Sequence, residues 1–395
     1  MRSIKILSVL LLSGFFIQNS SAADGARITY DKGTKIEIPE AGFNLKINTE
    51  VNVAYSYTSI NRGGAEKNSF DPFRERITLQ GDVANKKFSY YTQYKFAGSN
   101  ITAFGDNDIR DQFSARSSSA SFPDEDPSLV EAWVQYNIDE QFKVRFGRQK
   151  LQFGYSQPAA TTKLEFFTRP LAYQVLGELY KYIPSIDVGT TGYYKVNVDN
   201  SVLTATLGGF NSKSKAADRD TYVAGVASIN YAANGFDRTA EGDLGYTKGV
   251  AWTTGLSGLY NQMYLGNIEI EEDVYNIGLD FGLRTKGLSL QSEVFTTIVD
   301  PELGKNSNNY GYYIQAGYFV VPKDIEVALR FSGVSLDKHF VRNSSSDSFE
   351  YSAVLNKYIL GHNLKLQTSV SYYTLDGKTK DQDQLKFLAG ISANL

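Results

Sequence analysis

The sequence contains no cysteine among its 395 residues and has only two histidines, two methionines and two tryptophans. The absence of cysteine excludes a disulfide scaffold, a thiolate nucleophile and a cysteine-ligated zinc site. With only His339 and His362, and with no Gly-x-Ser-x-Gly elbow or phosphate-binding loop, the chain offers little to an enzyme. We therefore predict no catalytic site, no metal site and no cofactor. A membrane enzyme that uses carboxylates and serine stays open as an alternative.

Long apolar runs are also missing beyond the N-terminus. A transmembrane helix needs about 20 consecutive, mostly apolar residues. In lipid every backbone polar group must be paired within the protein, so the only other spanning structure is a closed β-barrel. The mature chain is therefore expected either to be soluble or to cross a membrane as a barrel.

The first 23 residues have the features of a secretory signal peptide. Arg2 and Lys5 form a basic start, an apolar run follows, and Ser21-Ala22-Ala23 supplies the small residues at which a signal peptidase cleaves. We predict cleavage after Ala23 and a periplasmic N-terminal segment over residues 24–42. The alternative is a buried N-terminal helix or an anchor.

The charge balance argues against a nucleic-acid partner. Loss of Arg2 and Lys5 leaves 38 of the 40 basic residues against 43 acidic ones, a net charge of −5. The chain is rich in aromatics, with 27 tyrosines and 24 phenylalanines. Such residues form girdles at the two membrane interfaces of an outer-membrane barrel. A secreted β-sandwich or solenoid can share this composition.

Strict alternation of apolar and polar residues marks the first mature strand. From Phe43 to Tyr57, the odd-numbered positions carry apolar, aromatic and threonine residues and most even-numbered positions are polar. This pattern predicts a strand with two different solvents on its two faces. Strands of soluble domains are typically about 5–6 residues long, whereas a membrane-spanning strand needs about 9–11. The length of this strand therefore favours a transmembrane barrel.

The same pattern recurs along the chain. Sixteen strands are predicted over residues 43–57, 73–83, 87–96, 129–138, 142–152, 185–196, 201–211, 221–232, 250–260, 274–284, 288–298, 309–321, 325–336, 348–360, 364–375 and 384–395. Short connections alternate with longer polar ones, as in bacterial outer-membrane barrels, whose periplasmic turns are short. One connection on the short side, residues 233–249, is too long for this rule. The prediction is an all-β, antiparallel, sixteen-stranded barrel over residues 43–395 in the bacterial outer membrane.

The longest connection, residues 153–184, follows the fifth predicted strand and forms the third external loop. It mixes charged and aromatic residues, as expected of a loop that packs against the barrel wall with one side and faces water with the other. We expect it to fold into the barrel and narrow the pore. The alternative is an external loop that contacts a neighbouring subunit.

Basic residues concentrate on the neighbouring second, third and fifth predicted strands. A cation facing the lipid midplane costs about 2–4 kcal/mol, so the central ones are expected to face water, and basic rings in a pore select anions. The pore-lining candidates, including those of the long loop, are Arg74, Arg76, Lys95, Lys143, Arg145, Arg148, Lys150, Lys163, Glu165, Arg169 and Lys181. They predict a passive channel for small hydrophilic solutes with a modest anion preference. The alternative is that these cations balance the loop's acids or lie near lipopolysaccharide.

The connection over residues 97–127 is acidic. Asp106-Asn107-Asp108 resembles part of a calcium loop, but the glycine and the closing glutamate of that motif are absent at their spacing. We interpret the segment as a solvated external loop, with divalent-ion bridging to lipopolysaccharide as the alternative.

Three stretches carry a family resemblance. They are Glu131-Ala132-Trp133-Val134-Gln135-Tyr136, the run Lys143-Val144-Arg145-Phe146-Gly147-Arg148-Gln149-Lys150 followed by Phe153-Gly154, and Ile186-Asp187-Val188-Gly189-Thr190-Thr191-Gly192. Together they resemble the phosphate-selective porin O/P family. The resemblance implies a homotrimer of sixteen-stranded barrels with an inward third loop, in contact with outer-membrane lipid, and its name implies phosphate as a solute. A structural or adhesive barrel with a plugged lumen is the competing hypothesis.

Overall fold

The computed structural model describes residues 25–30, 33–61, 66–97, 128–212, 222–265, 270–337, 346–375 and 382–395. The predicted signal peptide, almost all of the acidic connection 97–127 and His339 lie outside these residues. Within them, eighteen strands form one sheet. They are β1 Arg27–Tyr30, β2 Thr34–Ile38, β3 Phe43–Ile60, β4 Lys67–Val83, β5 Phe88–Ala97, β6 Ser128–Asn137, β7 Phe142–Lys150, β8 Ile186–Val198, β9 Ser201–Asn211, β10 Val223–Ala233, β11 Ala251–Leu265, β12 Ile270–Thr285, β13 Leu288–Pro301, β14 Ser307–Val321, β15 Ile325–Leu336, β16 Ser346–Tyr358, β17 Leu364–Leu375 and β18 Gln382–Asn394.

Strands β3 to β18 form a closed antiparallel barrel. Each pairs with the next along the chain, and β18 pairs back onto β3, from Gln384 opposite Ile60 to Asn394 opposite Glu50. The sixteen predicted strands are thereby confirmed, with boundaries that shift by a few residues. The largest shifts are at β4, which begins at Lys67 rather than Phe73, and at β11, which continues to Leu265.

The two short strands before the barrel were not predicted. Strand β2 pairs with the first residues of β3, from Thr34 opposite Ile47 to Ile38 opposite Phe43, and β1 pairs with β2. The C-terminal Leu395 exchanges two backbone hydrogen bonds with Thr49, at 2.7 and 2.8 Å. Strand β2 therefore follows directly after the end of β18 along the same edge of β3.

The two faces of the wall differ in the way that the alternation predicted. On β12, Ile277 and Leu279 are each 54% exposed, while Asn276 and Asp280 on the other face are 1% and 2% exposed. A soluble protein buries its apolar residues and exposes its polar ones. The reversal here fits a closed wall whose outer surface meets an apolar solvent. We call the buried side of the strands the polar face.

Tight turns join most strands at one end of the barrel. Lys286 and Gly287 connect β12 to β13 with backbone φ angles of 48° and 85°, and the strands pair up to Thr285 opposite Leu288. Positive φ at both central residues is the geometry of a two-residue hairpin turn that matches the twist of the strands. The connection of residues 234–250, between β10 and β11, belongs to this end of the barrel but is far longer.

The connection of residues 151–185, between β7 and β8, is the largest of those described. It contains a 3-10 turn over Thr161–Lys163, a helical turn over Leu171–Tyr173 and a π-helical turn over Gln174–Leu179. No helix among the described residues is long and apolar enough to cross a membrane. We refer to residues 151–185 as the large loop and to residues 234–250 as the long turn.

Candidate functional site on the polar face of the barrel

Most of the large loop is buried, and it packs chiefly against the polar face of β11 to β17, with Phe167 also packed on Phe73 of β4. Its apolar residues join wall residues in one cluster, in which Phe153 and Tyr173 both contact the ring of Phe295, with centroids 6.1 and 5.0 Å away. These contacts explain why the loop is rich in aromatic residues. Three groups of buried carboxylates on the wall and in the long turn accept its hydrogen bonds.

The first carboxylate is Glu293 on β13. Its Oε1 accepts a hydrogen bond from the Ser156 backbone N–H at 2.6 Å, and its Oε2 accepts one from the Tyr173 hydroxyl at 2.6 Å. The hydroxyl of Tyr313 also donates to Oε1. Hydrogen bonds to a charged acceptor are roughly twice as strong as neutral ones, so Glu293 fixes two parts of the large loop to the wall.

The second is Glu350 on β16. It forms a buried ion pair with Arg330, whose Nε and Nη2 donate to Glu350 Oε1 at 2.9 and 2.7 Å. The backbone N–H of Leu171 donates to Glu350 Oε2 at 2.8 Å, and Arg330 Nη1 donates to the Thr168 carbonyl at 2.9 Å. The Arg330 guanidinium also lies 4.1 Å above the ring of Phe166. The pair thus holds the middle of the large loop from both sides.

The third group connects the large loop to the long turn. The Glu165 N–H donates to Glu241 Oε2 at 2.9 Å, and the Glu241 N–H donates to the Lys163 carbonyl at 2.9 Å. The Tyr155 hydroxyl donates to the Ala240 carbonyl at 2.6 Å. Burial, followed by the charges of Glu326 and Glu241, raises the pKa of Glu165 well above its usual range.

The long turn is itself fixed to the wall. Arg238 forms a two-pronged ion pair with Asp280 on β12, at 2.7 and 2.9 Å. Asp243 accepts hydrogen bonds from the Gly287 and Thr247 backbone N–H groups, at 2.8 and 3.0 Å. The length of this connection, which the turn pattern leaves unexplained, therefore has a structural use: it reaches from its end of the barrel to the large loop.

Several predicted basic residues gather where the large loop approaches the polar face of β4 and the end of β7. Arg74 and Arg76 lie 3.8 Å from the Glu50 carboxylate, and Arg76 Nη1 is 3.3 Å from Thr161 Oγ1 of the large loop. Lys150 Nζ and Arg169 Nη2 both donate to the carbonyl of Ala159, at 2.9 and 3.1 Å. Lys95 pairs with Arg76 across β4 and β5 and shares its face.

Arg145 occupies a different environment on the same face. Its guanidinium lies 3.8 Å from the Trp133 ring centroid and 5.0 Å from that of Tyr193. Its Nε and Nη2 donate to Gln135 Oε1 at 3.2 and 2.9 Å. Lys143 lies two residues before Arg145, opposite Tyr193. Arg145 therefore keeps its charge on the polar face, but its guanidinium is already bonded to Gln135 and in contact with two aromatic rings.

The remaining candidates lie elsewhere. Arg148 pairs with Val188, which is exposed on the apolar side, and its Nε donates to the Val130 carbonyl at 2.8 Å. Lys163 and Glu165 lie at the contact with the long turn. Lys181 lies near β11, where its carbonyl accepts a hydrogen bond from Asn261 at 3.1 Å. The structure thus separates these four from Arg74, Arg76, Lys150 and Arg169, which we call the basic set.

The buried acids of the wall are not among the predicted pore-lining residues. Glu50, Glu293, Glu326 and Glu350 all lie within strands on the polar face and are buried. The alternation of each strand places these acids on the face opposite the apolar residues, but it does not predict their contacts with distant loops. In the large loop, Glu178 lies within electrostatic reach of Lys181, Arg169 and Arg74. Glu178 therefore belongs to the surroundings of the basic set.

A closed sixteen-stranded barrel with an apolar outer surface and a polar face within is the architecture of an outer-membrane porin. The chain matches the family of phosphate-selective porins O and P over residues 45–386, and it belongs to that family. It is thus a channel protein of the bacterial outer membrane. The fold and family are those of a channel rather than of an enzyme.

Solved porin structures have the same fold at low sequence identity. The anion-selective porin from Comamonas acidovorans is 13% identical, with 89% of this chain and 99% of that chain covered and a TM-score of 0.59. The outer-membrane channel DcaP of Acinetobacter baumannii is 9% identical, with 89% and 98% covered and a TM-score of 0.58. The trimer form of OmpT of Vibrio cholerae is 9% identical, with 88% and 99% covered and a TM-score of 0.52. The comparison with curated proteins found no match.

Proposed function

We propose that small hydrophilic solutes diffuse through this channel, that the large loop lies in the lumen and narrows it, and that anions pass preferentially. The observation that carries the proposal is the gathering of Arg74, Arg76, Lys150 and Arg169 where the large loop approaches β4 and β7. Because much of the loop packs on β11 to β17, we expect the solute path to run along the strands that carry these cations, beside the contact of Phe167 with Phe73 on β4.

Local charge rather than net charge is expected to set the selectivity. The mature chain is acidic overall, but most of a barrel's charge lies on loops in salt solution, where the screening length is about 8–10 Å. Low-dielectric walls focus the field of charges beside a narrow pore. The cations next to the large loop therefore outweigh distant acids, in agreement with the anion-selective character that one structurally similar porin has by name.

Acids beside the basic set oppose this preference. Glu50 lies 3.8 Å from both Arg74 and Arg76, and Glu178 lies near Arg169. One carboxylate shared by two guanidinium groups leaves a net positive charge, since each group carries one unit. The expected anion preference is for this reason modest rather than strict.

The test is the zero-current potential of the purified channel in a planar bilayer across a salt gradient. The native channel should give a potential of the sign that anion preference predicts, and replacing both arginines in Arg74→Gln with Arg76→Gln should move it toward cations. Arg27→Gln is the matched control, because Arg27 is exposed on the N-terminal strand β1. A native pore that prefers cations, or a double variant that is indistinguishable from native, would contradict the proposal.

A plugged structural barrel is the second candidate. The observation in its favour is the buried apolar cluster that the large loop forms with the wall, which fills part of the space beside β11 to β17. The same bilayer measurement separates the two functions. Stable ohmic current steps support the porin, while their absence from a correctly folded protein would favour the plugged barrel.

A further inference from the structure

The large loop and the long turn start from opposite ends of the barrel and meet within it. The large loop follows an odd-numbered barrel strand, whereas the long turn joins β10 to β11 at the end where the other connections are tight turns. Besides the bonds of Glu165 and Glu241, the Ala160 N–H lies 3.4 Å from the Thr239 carbonyl, and Lys163 Nζ donates to Thr239 Oγ1 at 3.1 Å. The contact is thus continuous over several residues of both segments.

Three carboxyl groups meet at this contact, and all three are buried: Glu165, Glu241 and Glu326. The Gln315 side chain donates to Glu165 Oε2 and, at 3.1 Å, to Glu241 Oε2. A methyl group at Gly242 would lie 2.8 Å from Glu326 Oε1 and 3.2 Å from Glu165 Oε1, so these two oxygens face the same small space. Among the described residues, Glu326 Oε1 has no hydrogen-bond partner.

Three cations lie near these acids, but each donates to a neutral oxygen rather than to one of the three carboxylates. Lys365 is buried beside them, but its Nζ donates to the Leu164 carbonyl at 2.6 Å, and Arg284 Nη2 donates to the Ala240 carbonyl. Lys163 is bound to Thr239. The Tyr358 hydroxyl donates to Glu326 Oε2 at 2.6 Å.

His362, in the turn after β16, also faces this group of charges. Burial, followed by the charges of Lys365 and Lys163, lowers the pKa of His362 to about 3. Its imidazole therefore stays neutral over the pH range in which the carboxyl groups exchange their proton.

We propose that Glu241 is a positioning residue of the channel, and that it holds the large loop in place through a carboxyl cluster with Glu165 and Glu326 that retains a proton. The inference rests on the proposed role of the large loop as the constriction. Buried charges without a direct ion pair are costly, and carboxylates that share a site disfavour full ionisation. A retained proton removes one of the charges and lets the cluster join the two segments.

The direction of the pH dependence follows from the raised pKa of Glu165. A carboxyl group whose pKa is raised in the folded state contributes stability while it is protonated, and that contribution is lost as the pH rises through the folded-state pKa. Ionisation would bring the third negative charge into the cluster and loosen the contact. The channel is therefore expected to hold one conductance level while Glu165 is protonated, and to fluctuate between levels once the pH exceeds the raised pKa of Glu165.

Single-channel recordings over a range of pH test this with the full-length protein. Glu241→Gln keeps a hydrogen-bonding side chain but removes one charge, so a third negative charge can no longer enter the cluster and the fluctuations at high pH should disappear. Glu241→Ala removes the bond to the Glu165 N–H and should fluctuate at every pH. Glu140→Gln, which changes an exposed acid in the β6–β7 turn, should keep the native profile. A native profile in both Glu241 variants would overturn the proposal.

A disulfide distinguishes failure of this proposal from failure of the proposed constriction. The chain has no cysteine, so Ala160→Cys with Thr239→Cys introduces a single pair, and the 3.4 Å bond between their backbones suits the Cα spacing that a disulfide requires. The bridge should form on oxidation and remove the fluctuations at high pH, which should return on reduction. If the pair fails to oxidise in folded protein, the contact is wrong. If it oxidises and the fluctuations persist, Glu241 does not control them, whereas a native channel without current steps would instead refute the proposed function.

Discussion

Single buried carboxylates fix the large loop to the barrel wall. Glu293 binds its beginning and its helical turn, Glu350 binds its middle, and Glu241 binds the part near Glu165. Each accepts at least one backbone N–H that has no partner within a helix or a sheet. Because an unpaired buried backbone group is costly, these acids decide the path of an otherwise irregular segment.

Gly154 is the residue at which the large loop tolerates least change. Its φ is 67°, and an added Cβ would lie 2.2 Å from Glu293 Oε2 and 2.3 Å from the Tyr173 hydroxyl. Gly154→Ala should therefore destabilise the folded barrel by about 1–3 kcal/mol, from strain and displaced contacts. The temperature at which the folded gel band converts to the unfolded one should fall. Gly249→Ala, at a position with open space around it, should leave that temperature unchanged, and equal effects of the two would contradict the steric argument.

A second prediction concerns the buried Arg330–Glu350 ion pair. Glu350→Gln would leave a buried guanidinium without its counter-ion, and breaking a buried pair in this way costs about 3–5 kcal/mol. We expect proteolysis within the large loop to become faster and the current noise to rise. Glu302→Gln is the matched control, because Glu302 is exposed. Native noise and native protease resistance in the Glu350 variant would show that the pair does not hold the loop.

The sequence predicted which face of the wall a residue occupies better than it predicted the contacts of that residue. The alternation of β4 and β5 placed Arg74, Arg76 and Lys95 on the face opposite the apolar residues, and the strand register agrees. Arg148 does not share the polar face with the other candidates. The pairing of β7 with β8 is continuous through Gly147, and it places Arg148 opposite the exposed Val188. The bonds of Glu165 to the long turn join residues 76 positions apart, and no local pattern reports such a contact.

Strands were predictable because a wall between lipid and water imposes a period of two on every one of them. Long strands such as β3 repeat the signal many times, so their number came out correctly. Strands β1 and β2, with 4 and 5 residues, are too short to show it. The long turn has no period at all, and its order comes from Arg238, Asp243 and their tertiary partners.

The β1–β2 hairpin supports the seam at which the barrel closes. Strand β2 continues the pairing on β3 beyond the C-terminal Leu395. Deleting residues 24–42 from the exported protein should still give a barrel, but one whose folded gel band is lost at a lower temperature. Arg27→Gln, which leaves the strand pairing intact, serves as the control. An unchanged temperature in the deletion variant would show that the hairpin adds nothing to the seam.

At the scale of the whole molecule, we propose that three copies associate through the wall that carries Arg148. A cation on the lipid-facing side costs about 2–4 kcal/mol at the bilayer midplane, which favours contact with another subunit over contact with lipid. Chemical cross-linking in mild detergent should give a trimer, and Arg148→Glu should shift it toward monomer. A monomeric native protein would refute this arrangement.

The bonds between the large loop and the wall also impose an order on biogenesis. Glu165 accepts hydrogen bonds from Asn356 and Gln367 at its carbonyl, and Gln367 follows it by 202 positions. None of these contacts can exist before the C-terminal strands have inserted. The nascent barrel therefore passes through a stage in which its wall is nearly complete while the large loop is still undocked. Slow docking at that stage would leave the cell with a transiently leaky pore, so rapid capture of the loop is a requirement on these residues separate from any role in transport.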